Sequence, residues 1–308
     1  MDAPHVSAGA CALCGGRLGR SLLTIRVPDR FERHAGIAEA GYRRDWVECG
    51  GCGAATNVAT PESRERLRAM AGAYYEVDFA GAGQGGIAEK FRKVMSLSPE
   101  KSDNAGRVGR ILDHLRSFRG EVFREGESRF RAIDIGAGTG VFLAKFLERL
   151  GPAAVRWETV ALEPDPSAAA HLRSLGFSSV REELFRGQPD LRGFDLVTLN
   201  KIVEHVEDPL ALLRDVRGAL DPRCGTAYVE VPDRLTIGCR PPGDNILGAL
   251  HCHLYDPGSL TRLLARAGLA VLSACRVFEP SGKITVFAFA TTEGGIERLA
   301  RAGEGDVR

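Results

Sequence analysis

Two periodicities divide this chain. From about residue 128 to 291, short apolar runs of strand character alternate with segments whose apolar positions recur at helical spacing. Ala132–Ile135 predicts a strand, Val141–Leu150 a helix, and Trp157–Leu162 the next strand. Pro166–Leu175 predicts a helix ended by Gly176, Phe194–Leu199 a strand, Pro209–Leu220 a helix and Gly225–Val231 a strand. Ser259–Ala267 predicts a helix capped by Gly268, and Leu269–Phe278 with Ile284–Ala290 a final strand pair joined through Pro280-Ser-Gly-Lys. This order predicts an α/β fold, a doubly wound and mostly parallel sheet.

The N-terminal third differs. Residues 1–60 carry two CxxC pairs and little continuous apolar periodicity. Residues 61–125 are polar and helical: Pro61 opens one helix, and a second follows the cap residues Ser102-Asp103-Asn104, with Val108, Ile111, Leu112 and Leu115 on one face. Gly81–Gly86 predicts a flexible loop, and the Gly- and charge-rich tail after 292 is expected to fray. The expected division is a small module over 1–60, a helical linker or lid over 61–125, the sheet domain over 126–292 and a flexible tail over 293–308.

Composition narrows the classes. A net charge of +1 provides no field for nucleic acid or an anionic membrane. No stretch approaches the roughly 20 apolar residues that span a bilayer. The opening Met-Asp-Ala-Pro-His lacks the basic and apolar regions of a secretion signal, so the expected location is cytoplasmic. Eight cysteines in that compartment favour metal binding over disulfides wherever they cluster.

The first predicted strand ends in Asp134-Ile-Gly136-Ala137-Gly138-Thr-Gly140, a turn that opens a helix. Its glycines let the backbone turn sharply and a ligand approach closely. The spacing is GxGxG, not the GxGxxG of pyrophosphate sites. The second strand ends in Glu163-Pro164-Asp165-Pro166, where a carboxylate can accept two ribose hydroxyls. A third marker runs Asn200-Lys201-Ile-Val-Glu204-His205-Val-Glu-Asp208-Pro209. In this order the three markers resemble the class I methyltransferases that bind S-adenosylmethionine (SAM), with a Rossmann-like seven-stranded sheet. The resemblance implies that Asp134, Gly136, Ala137, Gly138 and Gly140 form the cofactor loop. It further implies that Glu163 and Pro164 meet the ribose, that Asn200 and Lys201 line the methionine part, and that Glu182 or Glu183 reaches the adenine.

Cys11-Ala-Leu-Cys14 and Cys49-Gly-Gly-Cys52 are each followed by glycine. Two such knuckles supply four thiolates for a closed, structural Zn2+ site; the alternative is a redox CxxC. The 34 residues between the pairs exceed the about 15–20 usual for zinc pairs. A four-cysteine module ahead of a SAM domain resembles sugar C-methyltransferases acting on nucleotide-linked deoxysugars, and methyltransferases of polysaccharide and secondary-metabolite pathways. In the latter resemblance the 89–107 segment closes over the ligands, with Lys101, Asn104 or Arg107 facing them.

The long segment Pro232–His253 ends in His251-Cys252-His253-Leu254-Tyr255, similar to a His-Glu-His segment of the sugar C-methyltransferases. His253 matches the second histidine, while Cys252 replaces the glutamate. An imidazole suits removal of a proton from an acceptor, so the candidate bases are His253, then His251, with His205 a further candidate. The spacing of His251, His253 and Cys239 specifies no second metal site by itself. The expected function is SAM-dependent O- or C-methylation of a small molecule, a sugar or sugar-bearing metabolite. Two alternatives stand: an RNA or protein methyltransferase with the zinc module as reader, and a non-catalytic SAM-binding subunit. Residues 1–60 hold seven Lys/Arg against six Asp/Glu, a balance that argues against a nucleic-acid partner.

Overall fold

A computed structural model of the chain describes residues 9–68, 86–124 and 126–305. The expected loop Gly81–Gly86 falls outside these residues except for Gly86, which begins a helix.

Two sheets organise the molecule. The larger contains β4 (Phe130–Ile135), β5 (Trp157–Leu162), β6 (Ser179–Arg181), β7 (Leu196–Asn200), β8 (Thr226–Pro232), β10 (Ala270–Phe278) and β11 (Ile284–Thr291). Its order is β10-β11-β8-β7-β4-β5-β6. The strands β6, β5, β4, β7 and β8 run parallel, and β11 inserts antiparallel between β8 and β10. The order reverses beside β4, so the carboxyl ends of β4 and β7 border the crevice where such sheets bind ligands.

The helices that cover the sheet start where side chains satisfy their first amides. Ser102 accepts from Ala105 N at 3.2 Å and begins α4 (Asp103–Phe118). Asp165 accepts from Ala168 N at 2.9 Å and begins α6 (Pro166–Ser174); Asp208 does the same for α7 (Pro209–Ala219). α5 (Val141–Leu150) instead starts from Gly140 at φ 76°. Val108, Ile111, Leu112 and Leu115 of α4 are fully buried against Phe142, Leu143 and Phe146 of α5, as the helical spacing predicts. Burying such side chains contributes about 1.5–3 kcal/mol each.

The smaller sheet holds β1 (Leu18–Ile25), β2 (Arg44–Cys49), β3 (Ala55–Val58) and β9 (His253–Leu254), in the order β1-β2-β3-β9. Its first three strands lie in the region expected to form a separate module, but the fourth comes from the segment after β8, with Thr56 opposite His253. The cysteine knuckles also share a hydrophobic cluster with Leu260, Leu263 and Leu264 of α9 (Pro257–Arg266). Arg262 and Arg266 of that helix donate to the Cys52 and Leu13 carbonyls. The N-terminal sheet is thus sewn to the larger domain.

Two short helices, α1 (Arg30–His34) and α2 (Pro61–Arg68), flank the small sheet, α3 (Gly86–Met95) precedes α4, and α8 (Thr236–Cys239) follows β8. The tail corrects the sequence reading: residues 293–305 form α10 (Glu293–Gly305). Thr292 accepts from Gly295 N at 3.2 Å, and Arg298 reaches Glu121 at 2.9 Å. These two contacts anchor a segment that its glycines alone would leave loose. No helix among the described residues is long and apolar enough to cross a membrane.

Candidate functional site

A cavity of about 810 Å³ opens over the carboxyl ends of β4, β5 and β7. The loop after β4 forms one wall. Gly136 and Ala137 donate from their amides to Leu162 O at 2.8 and 3.0 Å, pinning the loop to the end of β5. That brings Glu163 beneath it: one carboxylate oxygen accepts from Gly138 N at 2.9 Å, the other from Asp165 N at 3.0 Å. Gly136 and Gly140 sit at φ 71° and 76°. A Cβ at Gly140 would lie 2.7 Å from Leu172 and 2.8 Å from Leu175, so the turn and the helix packing both require glycine.

Asp134, Gly136, Ala137, Gly138, Glu163, Pro164, Asn200 and Lys201 all line this cavity. Gly140 stands behind the wall as the start of α5. Asp134 accepts from Thr198 Oγ1 at 2.7 Å and Asn200 Nδ2 at 2.8 Å. Burial nevertheless pushes its carboxyl up to about 7, against those hydrogen bonds. Burial also raises Glu163, against the two amides it accepts from. Two carboxylates held this far from water gain from a cationic ligand, whose charge restores their ionised forms. Glu182 is a correction. Its side chain pairs with Arg173 at 2.8 Å and is absent from the cavity wall, as is Glu183, which pairs with Arg181 at 2.6 Å. The three-residue strand β6 ends at Arg181, and Leu184 and Phe185 face the cavity instead.

At the opposite end the three candidate histidines separate. His205 lines the cavity, with Nδ1 3.0 Å from Leu250 O. His251 stands behind it, its ring edge-to-face at 4.5 Å, and its Nδ1 lies 2.6 Å from Ile246 O. His253, the first candidate from sequence, is not on the wall: it is 2% exposed, within β9, with Nδ1 3.4 Å from Thr56 Oγ1. Strand pairing with β3 holds it inside the small sheet. Cys252 lies on the wall in its place. Burial pulls His205 and His253 down to about 4 and His251 well below the usual histidine range, so all three are neutral near pH 7.

The largest group that sequence reasoning missed joins α4 to β8. Glu230 is fully buried and accepts from Arg107 Nε at 3.0 Å, Arg110 Nη2 at 3.0 Å and Tyr228 OH at 2.7 Å. Desolvation opposes its charge, but Arg107 and then Lys201 hold the carboxyl well below the usual range. Lys201 is the only non-glycine residue with positive φ among the described residues, at 63°. Its ammonium donates to Thr285 Oγ1 at 2.7 Å and lies 3.6 Å from Glu230. The signal was a glutamate inside the apolar strand Tyr228-Val-Glu-Val231, which a buried sheet position permits only with a countercharge. Lys101, Asn104 and Arg107 all line the cavity.

The four N-terminal cysteines converge. Cys11 and Cys52 sulfurs are 3.8 Å apart, Cys14 and Cys49 sulfurs 3.4 Å, and all four lie within 4.8 Å of one another. A tetrahedral ion with bonds of about 2.3 Å requires sulfur separations near ~3.8 Å, so the cluster fits one. Gly15 and Gly53 turn at φ 75° and 77° after each pair, and Gly16 N and Cys52 N point at Cys14 and Cys49 sulfurs at 3.3 and 3.5 Å.

The family described as Methyltransferase domain matches residues 105–274, more than half of the chain. The chain belongs to this methyltransferase-domain family. The matched span contains β4 through most of β10, and its sheet order is that of the class I methyltransferase fold. Over 112 residues the chain is 35% identical to a Xanthomonas campestris pv. campestris protein named ubiquinone biosynthesis O-methyltransferase, covering 34% of this chain and 44% of that protein. The chain thus spans under half the length of the curated relatives it matches. Among solved structures, it is similar to a 1,6-didemethyltoxoflavin-N1-methyltransferase of Burkholderia thailandensis at 16% identity and TM-score 0.49, covering 81% of this chain and 96% of that one. A SAM-dependent methyltransferase of Aquifex aeolicus is similar at 17% identity and TM-score 0.45, covering 66% and 96%.

Proposed function

We propose that the chain is a SAM-dependent methyltransferase acting on a small molecule with a hydroxyl or activated carbon, a sugar-bearing metabolite among the candidates. The observation that carries this reading is Glu163 held under the glycine loop by Gly138 N at 2.9 Å, at the wall of a cavity that continues to His205. When bound, SAM supplies an electrophilic methyl on a sulfonium with a neutral thioether as leaving group. Glu163 holds the ribose hydroxyls, Asp134 and the loop hold the cationic methionine end, and Leu184 with Phe185 cover the adenine. His205 meets the acceptor and takes its proton, because it alone of the three candidate histidines reaches the cavity. Alignment of acceptor and methyl in an enclosed cavity supplies much of the acceleration. The relative named for ubiquinone biosynthesis supports a small-molecule acceptor.

The four cysteines hold a structural Zn2+ in this proposal. Their sulfur spacing supports it, and an ion there would fix the small sheet on α9.

The test is transfer of labelled methyl from SAM to a panel of nucleotide sugars, phenols and RNA. A small-molecule acceptor should become labelled, and His205→Asn should lower the rate by about 10²-fold or more. His253→Asn should retain it. Labelling of RNA alone, or loss with His253→Asn and not with His205→Asn, would overturn the assignment.

A further inference from the structure

Behind the cavity floor, Glu204 is fully buried, and neither of its carboxylate oxygens has a hydrogen-bond partner. A buried carboxylate without a partner is costly unless something compensates it. Two imidazoles stand beside it, with the Lys201 ammonium the foremost cation acting on it. One ligand atom each from Glu204, His205 and His251 falls within 4.8 Å of the others. Both histidines direct Nδ1 at a backbone carbonyl, Leu250 O at 3.0 Å and Ile246 O at 2.6 Å. A carbonyl can only accept, so each Nδ1 carries the proton and the lone pair able to coordinate an ion lies on Nε2. Carbonyls that fix the tautomer in this way commonly back metal-binding histidines.

We propose that Glu204, His205 and His251 form a second metal site, separate from the four cysteines, for a first-row divalent cation such as Zn2+, Co2+, Fe2+ or Mn2+. Two imidazoles and one carboxylate suit these ions better than Mg2+ or Ca2+, which prefer all-oxygen shells. The backbone builds the cluster from two segments distant in sequence. The 3-10 turn Val203–His205 follows β7, and Cys252 N donates to Glu204 O at 2.6 Å, which sets the 250–252 segment beside that turn. Two nearby cations are engaged elsewhere: Lys201 on Thr285 and Glu230, and Arg107 on Glu230. With an ion bound, His205 would be its ligand and not the base; the ion would favour the deprotonated form of an acceptor hydroxyl bound to it, whose proton would pass to water. The site stands whether or not methyl transfer is the activity, so its test reads metal and not turnover.

The experiment is zinc content after loading full-length protein with Zn2+ and removing unbound ion, for wild type, Glu204→Gln and His251→Ala. SAM titration checks that each variant is folded. The expected result is one equivalent of zinc fewer in each variant than in wild type, with SAM affinity retained. Equal zinc in all three, with SAM binding intact, overturns the site. If the variants fail to bind SAM, wild type decides through its Co2+ spectrum. A second equivalent of Co2+ that adds no thiolate charge-transfer band supports the site, and saturation at the thiolate-bound equivalent overturns it.

Discussion

Two parts of the cavity wall are built from different materials. At the end proposed for the cofactor, residues 134–140 and 163–165 form two short stretches joined by adjacent strands, held by backbone amides that meet the Leu162 carbonyl and the Glu163 carboxylate. Elsewhere on the wall the contacts join residues far apart in sequence: Arg107 with Glu230, Lys201 with Thr285, His205 with the carbonyl of Leu250. The first part is specified by local turn chemistry. The second depends on how the whole chain packs, and it concentrates buried charge.

The largest expected effect tests that burden of charge. Arg107→Ala leaves fully buried Glu230 with Arg110 and Lys201 as its remaining cations and should destabilise the protein by about 3 kcal/mol in denaturant unfolding. Glu230→Gln in the same background should recover part of the loss, and a cost below ~1 kcal/mol would show that the network is dispensable. Next, Gly140→Val should weaken SAM binding by more than about tenfold, because its side chain must enter the space of Leu172 and Leu175 at a positive φ. Unchanged affinity would mean that the turn can relax.

A smaller effect separates the two parts by pH. Burial pushes the Asp134 carboxyl up to about 7, so as the pH falls through neutrality it takes up a proton and attracts a cationic ligand less. SAM affinity should fall several-fold between pH 8 and 6 in wild type and stay flat in Asp134→Asn. The same slope in both proteins would move the titration to another group. Smallest of all, Glu182→Ala should leave SAM affinity within about twofold, since an exposed ion pair contributes roughly 0–1 kcal/mol at most. A tenfold loss there would restore Glu182 to the adenine.

Legibility followed the same division. Helix Val141–Leu150 and strand Trp157–Leu162 match their sequence boundaries, because caps, turns and periodicity act within a few residues. The turn after β4 and the placing of Glu163 just after β5 were legible for that reason. His253 misled: a histidine at the end of a long loop looks available, and only pairing of β9 with β3 shows it inside a sheet. The strands β2 and β3 carry no clean alternation because both faces are buried: Val47 packs with the knuckles and α9, while Trp46 and Ala55 pack with Ile246 and Leu247. Helix α10 escaped detection because a side-chain cap and one distant ion pair offset its glycines.

Whether the glycine loop and Glu163 form a SAM site is read by calorimetric titration of SAM into wild type and Glu163→Ala. Wild type should bind in the micromolar range, and the variant should lose about tenfold or more, at least ~1.4 kcal/mol. Folded wild type that does not bind SAM, or a variant that binds equally well, would contradict the proposed site.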